Sequence, residues 1–219
     1  ISQIAIIHCI IILMIIFAFS RYFLPYKGAS NGKAIAIPKG IVTLFGVLAV
    51  ISFLGEGGMM DWSGVFLTEA KGVDLSLAGV GYAVFSAAML IGRLIGDKVV
   101  QKLGEQRVVI FGGIVASIGY IISIVFDNFF MMQFGFILLG FGAANIVPVV
   151  FTLLGRQKEM PINSAVTAVT SMGYLGVMFG PALLGFIAHG IGIVTVFCIL
   201  AGLFILQAIV SSYVFKVLN

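Results

Sequence analysis

An all-α integral membrane protein is the fold class this sequence predicts, and three observations predict it. Apolar residues fill 61% of the 219 positions and charged residues only 9%, with a mean hydropathy of +1.23. Water-soluble domains are nearer half apolar and about a quarter charged. The apolar residues are gathered into seven runs, at roughly 1–20, 40–67, 76–95, 108–126, 129–155, 164–188 and 193–215, each long enough to cross a hydrocarbon core as a helix. Their even hydrophobicity lacks the short alternating pattern of barrel strands. A helix also pairs its own backbone groups, which lipid requires.

The first run, 1–20, has no basic segment ahead of it and no small-residue cleavage site, so it reads as a membrane helix in preference to a signal peptide. Because Ile1 already lies within apolar sequence, the chain reads as a piece of a longer protein. Residues 1–25 form the first predicted helical unit. The stretch 26–39, "YKGASNGKAIAIPK", combines Gly, Ser, Asn and Pro with three Lys and no acid, the composition of a flexible linker. Residues 40–219 then form a block of six predicted helices with short connections.

Charge sets the orientation. Placing successive connections on alternate sides puts eleven of the twelve Lys and Arg on one side and leaves Lys71 alone on the other. The positive-inside rule makes the basic side cytoplasmic, including the linker 26–39 and the C-terminus, in a multi-pass protein of the plasma or inner membrane. The net charge of +4 is accounted for by this topology, and nucleic acid is excluded as a partner because no basic face on a soluble domain exists to bind it. Cys9 and Cys198 sit inside apolar runs without C-x-x-C spacing, which predicts small buried side chains in place of a disulfide or metal site.

Polar groups inside the membrane are the functional candidates. Glu56 lies about 24 Å along the run that starts near Gly40, within the bilayer. An acid there is a candidate proton carrier or substrate partner, or a structural acid paired to a neighbouring helix. Asp61, beside Trp62, is read as an interfacial acid. The stretch "GEGGMMDWSG" weakens its helix through four glycines, and a gating bend or close helix packing accounts for them equally. Asn145 precedes Pro148, whose missing N–H permits a kink; it is either a cavity-lining group or an interhelical clamp. Ser164, Thr167, Ser171 and Tyr174 recur at helical spacing as a polar stripe, with Tyr174 placed to stack on or hydrogen-bond a solute. Gln133 and His8 are read as interfacial.

The charged run "GRLIGDKVVQKLGEQR" (92–107) resembles the signature cytoplasmic loop of the major facilitator superfamily, through Gly92 or Gly96, Asp97-Lys98, Gly104 and Arg107. Its spacing from Asp97 to Gly104 is longer than the family form by about one helical turn. "GFGAANIVPVVFTLLGR" (140–156) is similar to the tenth helix of that superfamily and "GYLGVMFGPALLG" (173–185) to its eleventh. "GEGGMMDWSGVFL" (55–67) resembles the seventh helix of the fucose-permease-like subgroup. The resemblance implies one six-helix half of a twelve-helix carrier, with 1–25 equivalent to the sixth helix. It also implies a conformational latch at Gly92, Arg93, Asp97, Lys98 and Arg107. Asp97 would face a helix N-terminus in the other half, with Arg93 and Arg107 as local charge partners.

The expected function is therefore a secondary active transporter that moves a small solute, a sugar or similar polar molecule, by alternating access. Glu56, Asn145 and Tyr174 would line its central pathway. The coupling ion would be a proton, in symport, with no other cofactor. A drug/proton antiporter and a non-transporting solute sensor are the alternatives. No phosphate loop, zinc-binding pattern or nucleophile elbow occurs in the sequence, so an enzyme is not expected. The expected partners are the lipid bilayer, the solute and the N-terminal six-helix half, and a half bundle with an uncovered inner face is expected to self-associate.

Overall fold

A computed structural model describes residues 36–218, together with Leu13, Met14 and Phe17. The chain divides into two units, 1–33 and 34–219. In the first, the three described residues all have helical backbone; His8, Cys9 and most of the expected linker lie outside the described residues.

The second unit contains α1 (Ile41–Val65), α2 (Val80–Leu94), α3 (Gly96–Leu103), α4 (Glu105–Val125), α5 (Phe129–Ala143), α6 (Ile146–Leu154), α7 (Ile162–Ile191) and α8 (Ile193–Leu218). One π-helical turn, Phe66–Ala70, prolongs α1, and a 3₁₀ turn, Leu75–Leu77, leads into α2. With α5 and α6 joined end to end, six helical spans among the described residues are long and apolar enough to cross a membrane. α1 packs against α7 and α8, α4 against α5 and α8, and α2 against α5. The core between them holds Phe45, Phe66, Tyr120, Phe136, Phe197 and Phe204, all with no exposed surface.

α1 runs unbroken through the glycine-rich stretch, and close packing accounts for two of its glycines. A side chain on Gly55 would overlap the ring of Phe204, and one on Gly58 would meet Leu200, whereas Gly57 faces open space. α1 begins at Gly40, whose φ of 51° favours glycine, and the carboxylate of Glu159 accepts from the Ile41 N–H at 3.1 Å. That bond satisfies a donor that the helix itself leaves unpaired.

The extra residues of the signature-like loop are themselves a helix. α3 carries Lys98 and Lys102 on an exposed surface and ends at Gly104, whose φ of 82° lets the chain turn into α4. Arg156 pairs with Glu105 at 2.7 Å at this basic end. At the opposite end, Lys71 donates to Asp127 at 2.6 Å and to the carbonyl of Ile124 at 2.7 Å, tying the π-helical turn to the last turn of α4.

One side chain departs from its expected setting. Cys198 is exposed on α8, because a uniformly apolar helix offers no pattern that separates its packed face from its lipid face. Gln133, toward the N-terminal end of α5, is buried between helices at 7% exposure, with neither amide atom hydrogen-bonded among the described residues.

Candidate functional site

Glu56 is aimed by what holds the residue before it. The fully buried Tyr120 of α4 donates its hydroxyl to the carbonyl of Gly55 at 2.8 Å. Consecutive helical residues point about 100° apart, so with Gly55 against α4 and α8, Glu56 turns toward α2. One helical turn earlier, the buried Gln207 donates to Ser52 at 3.0 Å and fixes α1 against α8.

On α2 the facing group is Arg93. Its Nη2 donates to Glu56 Oε2 at 3.3 Å, while its Nε donates to the carbonyl of Ala144 at 3.4 Å. The second bond has a local cause. In a continuous helix the Ala144 carbonyl would accept from the amide of residue 148, but Pro148 has no N–H to give. The proline therefore leaves an acceptor free, and the guanidinium takes it. Asn145, at the junction of α5 and α6, donates to the carbonyl of Gly92 at 3.0 Å. Two glycines of α2 and α3 permit this approach. A side chain on Gly92 would collide with Ala144, and one on Gly96 with the carboxamide of Asn145.

The ion pair opens into a cavity of about 380 Å³ between α1 and α2, bounded by Val177 of α7. Its walls include Phe53, Met60, Tyr82, Phe85 and Met89, and its neutral polar groups include the hydroxyls of Tyr82 and Ser86. The two charges meet it unequally. The Arg93 side chain is 48% exposed and that of Glu56 17%. Oε1 of Glu56 is buried without a hydrogen-bond partner among the described residues. Phe53 is seated where Gly173 of α7 makes room for its ring, and Tyr174 stacks beside it with ring centres 6.2 Å apart.

Of the three residues expected on one pathway, Glu56 lines the cavity, Tyr174 adjoins it through Phe53, and Asn145 lies behind Arg93 as a clamp between elements. Thr167 spends its hydroxyl on the carbonyl of Asn163 in its own helix. Among the residues expected in the latch, Gly92 is packed, with the neighbouring Gly96, against the α5–α6 junction, and Arg93 turns to Glu56. Asp97, Lys98 and Arg107 are exposed at the basic end, and Asp97 is in no ion pair among the described residues. Sequence reasoning missed the pairing of Arg93, the aromatic wall and the Tyr120 tether. An Arg only four residues before Asp97, at the end of the apolar run "VGYAVFSAAMLIG", was the available signal. Among the described residues no group of His, Cys, Asp and Glu is arranged to hold a metal ion.

Residues 45–218 match the family model of the Major Facilitator Superfamily. An uncharacterized MFS-type transporter of Yersinia pestis is 43% identical over 181 residues, which cover 82% of this chain and 47% of that relative. The membrane protein MosC of Rhizobium meliloti is 30% identical over 150 residues, 68% of this chain and 37% of that protein. The chain thus spans less than half the length of these relatives. Among solved structures, a mutant of the peptide transporter POT in complex with sulfate superposes with a TM-score of 0.70 at 20% identity, over 87% of this chain and 39% of that one. The POT family transporter PepTSo gives 0.68 at 16% identity, over 82% and 38%. At these identities the two structures bear on the fold alone.

Proposed function

Because this chain belongs to the Major Facilitator Superfamily, we propose that it is one half of a secondary transporter that carries a small solute by alternating access, with protons as the coupling ion. The observation that carries this reading is the Glu56–Arg93 pair at the wall of an open cavity. An acid and a base that neutralise one another inside a membrane cost less than either alone. A ligand or proton that engages one partner releases the other, which is the two-state element that coupling requires. In this reading the basic end, with Asp97 at the start of α3, faces the cytoplasm and meets the other half of the protein there.

Uptake into proteoliposomes by the full-length protein, with and without an imposed proton gradient, tests it. Gradient-driven flux that Glu56→Gln reduces to the level of passive exchange supports the coupling role. Undiminished gradient-driven flux in that variant removes Glu56 from it. Saturable binding of a solute without flux would favour a sensor, and proton-driven export of apolar compounds an antiporter.

A further inference from the structure

We infer that the solute is an amphiphilic organic anion, whose carboxylate or similar monoanionic head binds Arg93 and whose apolar body lies along the aromatic and methionine wall. This rests on the carrier reading above and replaces the polar, sugar-like solute expected from the sequence. A guanidinium has five N–H donors. Nε is committed to Ala144 and Nη2 contributes to Glu56, so other donors remain for a ligand on a side chain that is half exposed at the cavity. Glu56 is the more enclosed partner, which makes the cation the charge a solute meets first. Planar, forked guanidinium donors match a carboxylate in two parallel hydrogen bonds.

The rest of the wall argues for the body. A sugar presents a hydroxyl on nearly every carbon, and each one buried without a partner is costly. This half offers the hydroxyls of Tyr82 and Ser86 among Phe53, Met60, Phe85 and Met89. Apolar surface of that kind favours a hydrocarbon or aromatic body, and methionine adapts to its shape. Binding would exchange the Glu56 carboxylate for the solute's on the same guanidinium, and a proton taken up by the released Glu56, the coupling ion of the carrier reading, would keep the site free of an unpaired charge.

The full-length protein is tested with three carboxylates (hexanoate, 3-phenylpropionate and indole-3-acetate), each beside its primary amide and the corresponding amine, with glucose as the sugar. Binding is read by saturable thermal stabilisation and transport by proteoliposome uptake. At least one carboxylate is expected to bind about tenfold or more tighter than its amide and its amine, the loss that goes with one charge-assisted bond pair. Arg93→Gln should weaken that carboxylate roughly tenfold to a hundredfold while leaving the amide unchanged, and Arg93→Lys should retain part of the affinity. Glu56→Gln, which keeps the guanidinium and removes its competitor, should tighten carboxylate binding, so the proposal does not hang on a variant that removes Arg93.

Amides or amines that bind as well as carboxylates, or glucose uptake without carboxylate binding, overturn the anion class and leave the carrier reading intact. Absence of binding by every carboxylate overturns the proposal too. Arg93-dependent carboxylate binding without any flux supports the anion site and removes the carrier reading.

Discussion

Arg93 and Pro148 never form a hydrogen bond with each other, yet the proline positions the arginine. By withholding an amide it frees the Ala144 carbonyl, and Arg93 Nε reaches that carbonyl at 3.4 Å while Nη2 holds Glu56 at 3.3 Å. A helix break thus becomes one of two anchors for a charge at the membrane cavity.

Pro148→Ala should therefore loosen Arg93. The restored amide would pair with Ala144, and the guanidinium would keep only its bond to Glu56. Because the lost bond is long, a twofold to roughly tenfold fall in apparent solute affinity is expected, below the full worth of a charge-assisted bond. Uptake kinetics measure it, and unchanged kinetics would mean that Ala144 does not position Arg93.

Tyr120→Phe removes the bond to Gly55 but keeps the ring between Phe197 and Phe204. The expected cost is about 1 kcal/mol of stability. Tyr120→Ala, which also empties the ring's volume, should cost about 3–5 kcal/mol. Thermal unfolding of the purified protein distinguishes the two, and equal losses would assign the stability to the hydroxyl alone.

The glycines of α1 separate packing from helix propensity. Gly58→Val must displace Leu200 and should destabilise by about 1–3 kcal/mol. Gly57→Ala has no atom within 4 Å of the added carbon and should stabilise the helix by up to about 1 kcal/mol. The same melting measurement checks both, and a destabilised Gly57→Ala protein would indicate a neighbour on that face.

At the end opposite the basic cluster, Lys71 is the partner that matters. Asp127 has an 87% exposed side chain, so Asp127→Asn should change stability by less than about 1 kcal/mol. Lys71→Ala should cost more, because the buried ammonium also caps the Ile124 carbonyl at 2.7 Å, in the last turn of α4 where a cation is favoured. Denaturation of the two variants side by side tests the order, and the reverse order would place the stability in the ion pair itself.

Particular residues show where sequence reading ends. Arg93 reads as part of the signature loop because it stands four residues before Asp97, and sequence distance hides that its side chain turns back along α2 toward Glu56. Asn145 has two open readings as a sequence feature; its bond to the Gly92 carbonyl, for which Gly92 and Gly96 leave room, supplies the contact that the clamp reading calls for. The exposure of Cys198 has a plain cause. In helices that are apolar all round, no periodic contrast marks the inward face.

What the sequence by itself determined is the solvent and the chain's path through it. The long even runs require spanning helices, the lopsided basic residues point to an orientation, and the motifs identify the superfamily, because each depends on residues near one another in the chain. Only the tertiary structure decided which charges meet. Glu56 and Arg93 are 37 residues apart, and their pairing depends on the rotation of α1 fixed by Tyr120 and on a carbonyl freed by Pro148. Such pairings are set by packing between helices, and no local pattern encodes them.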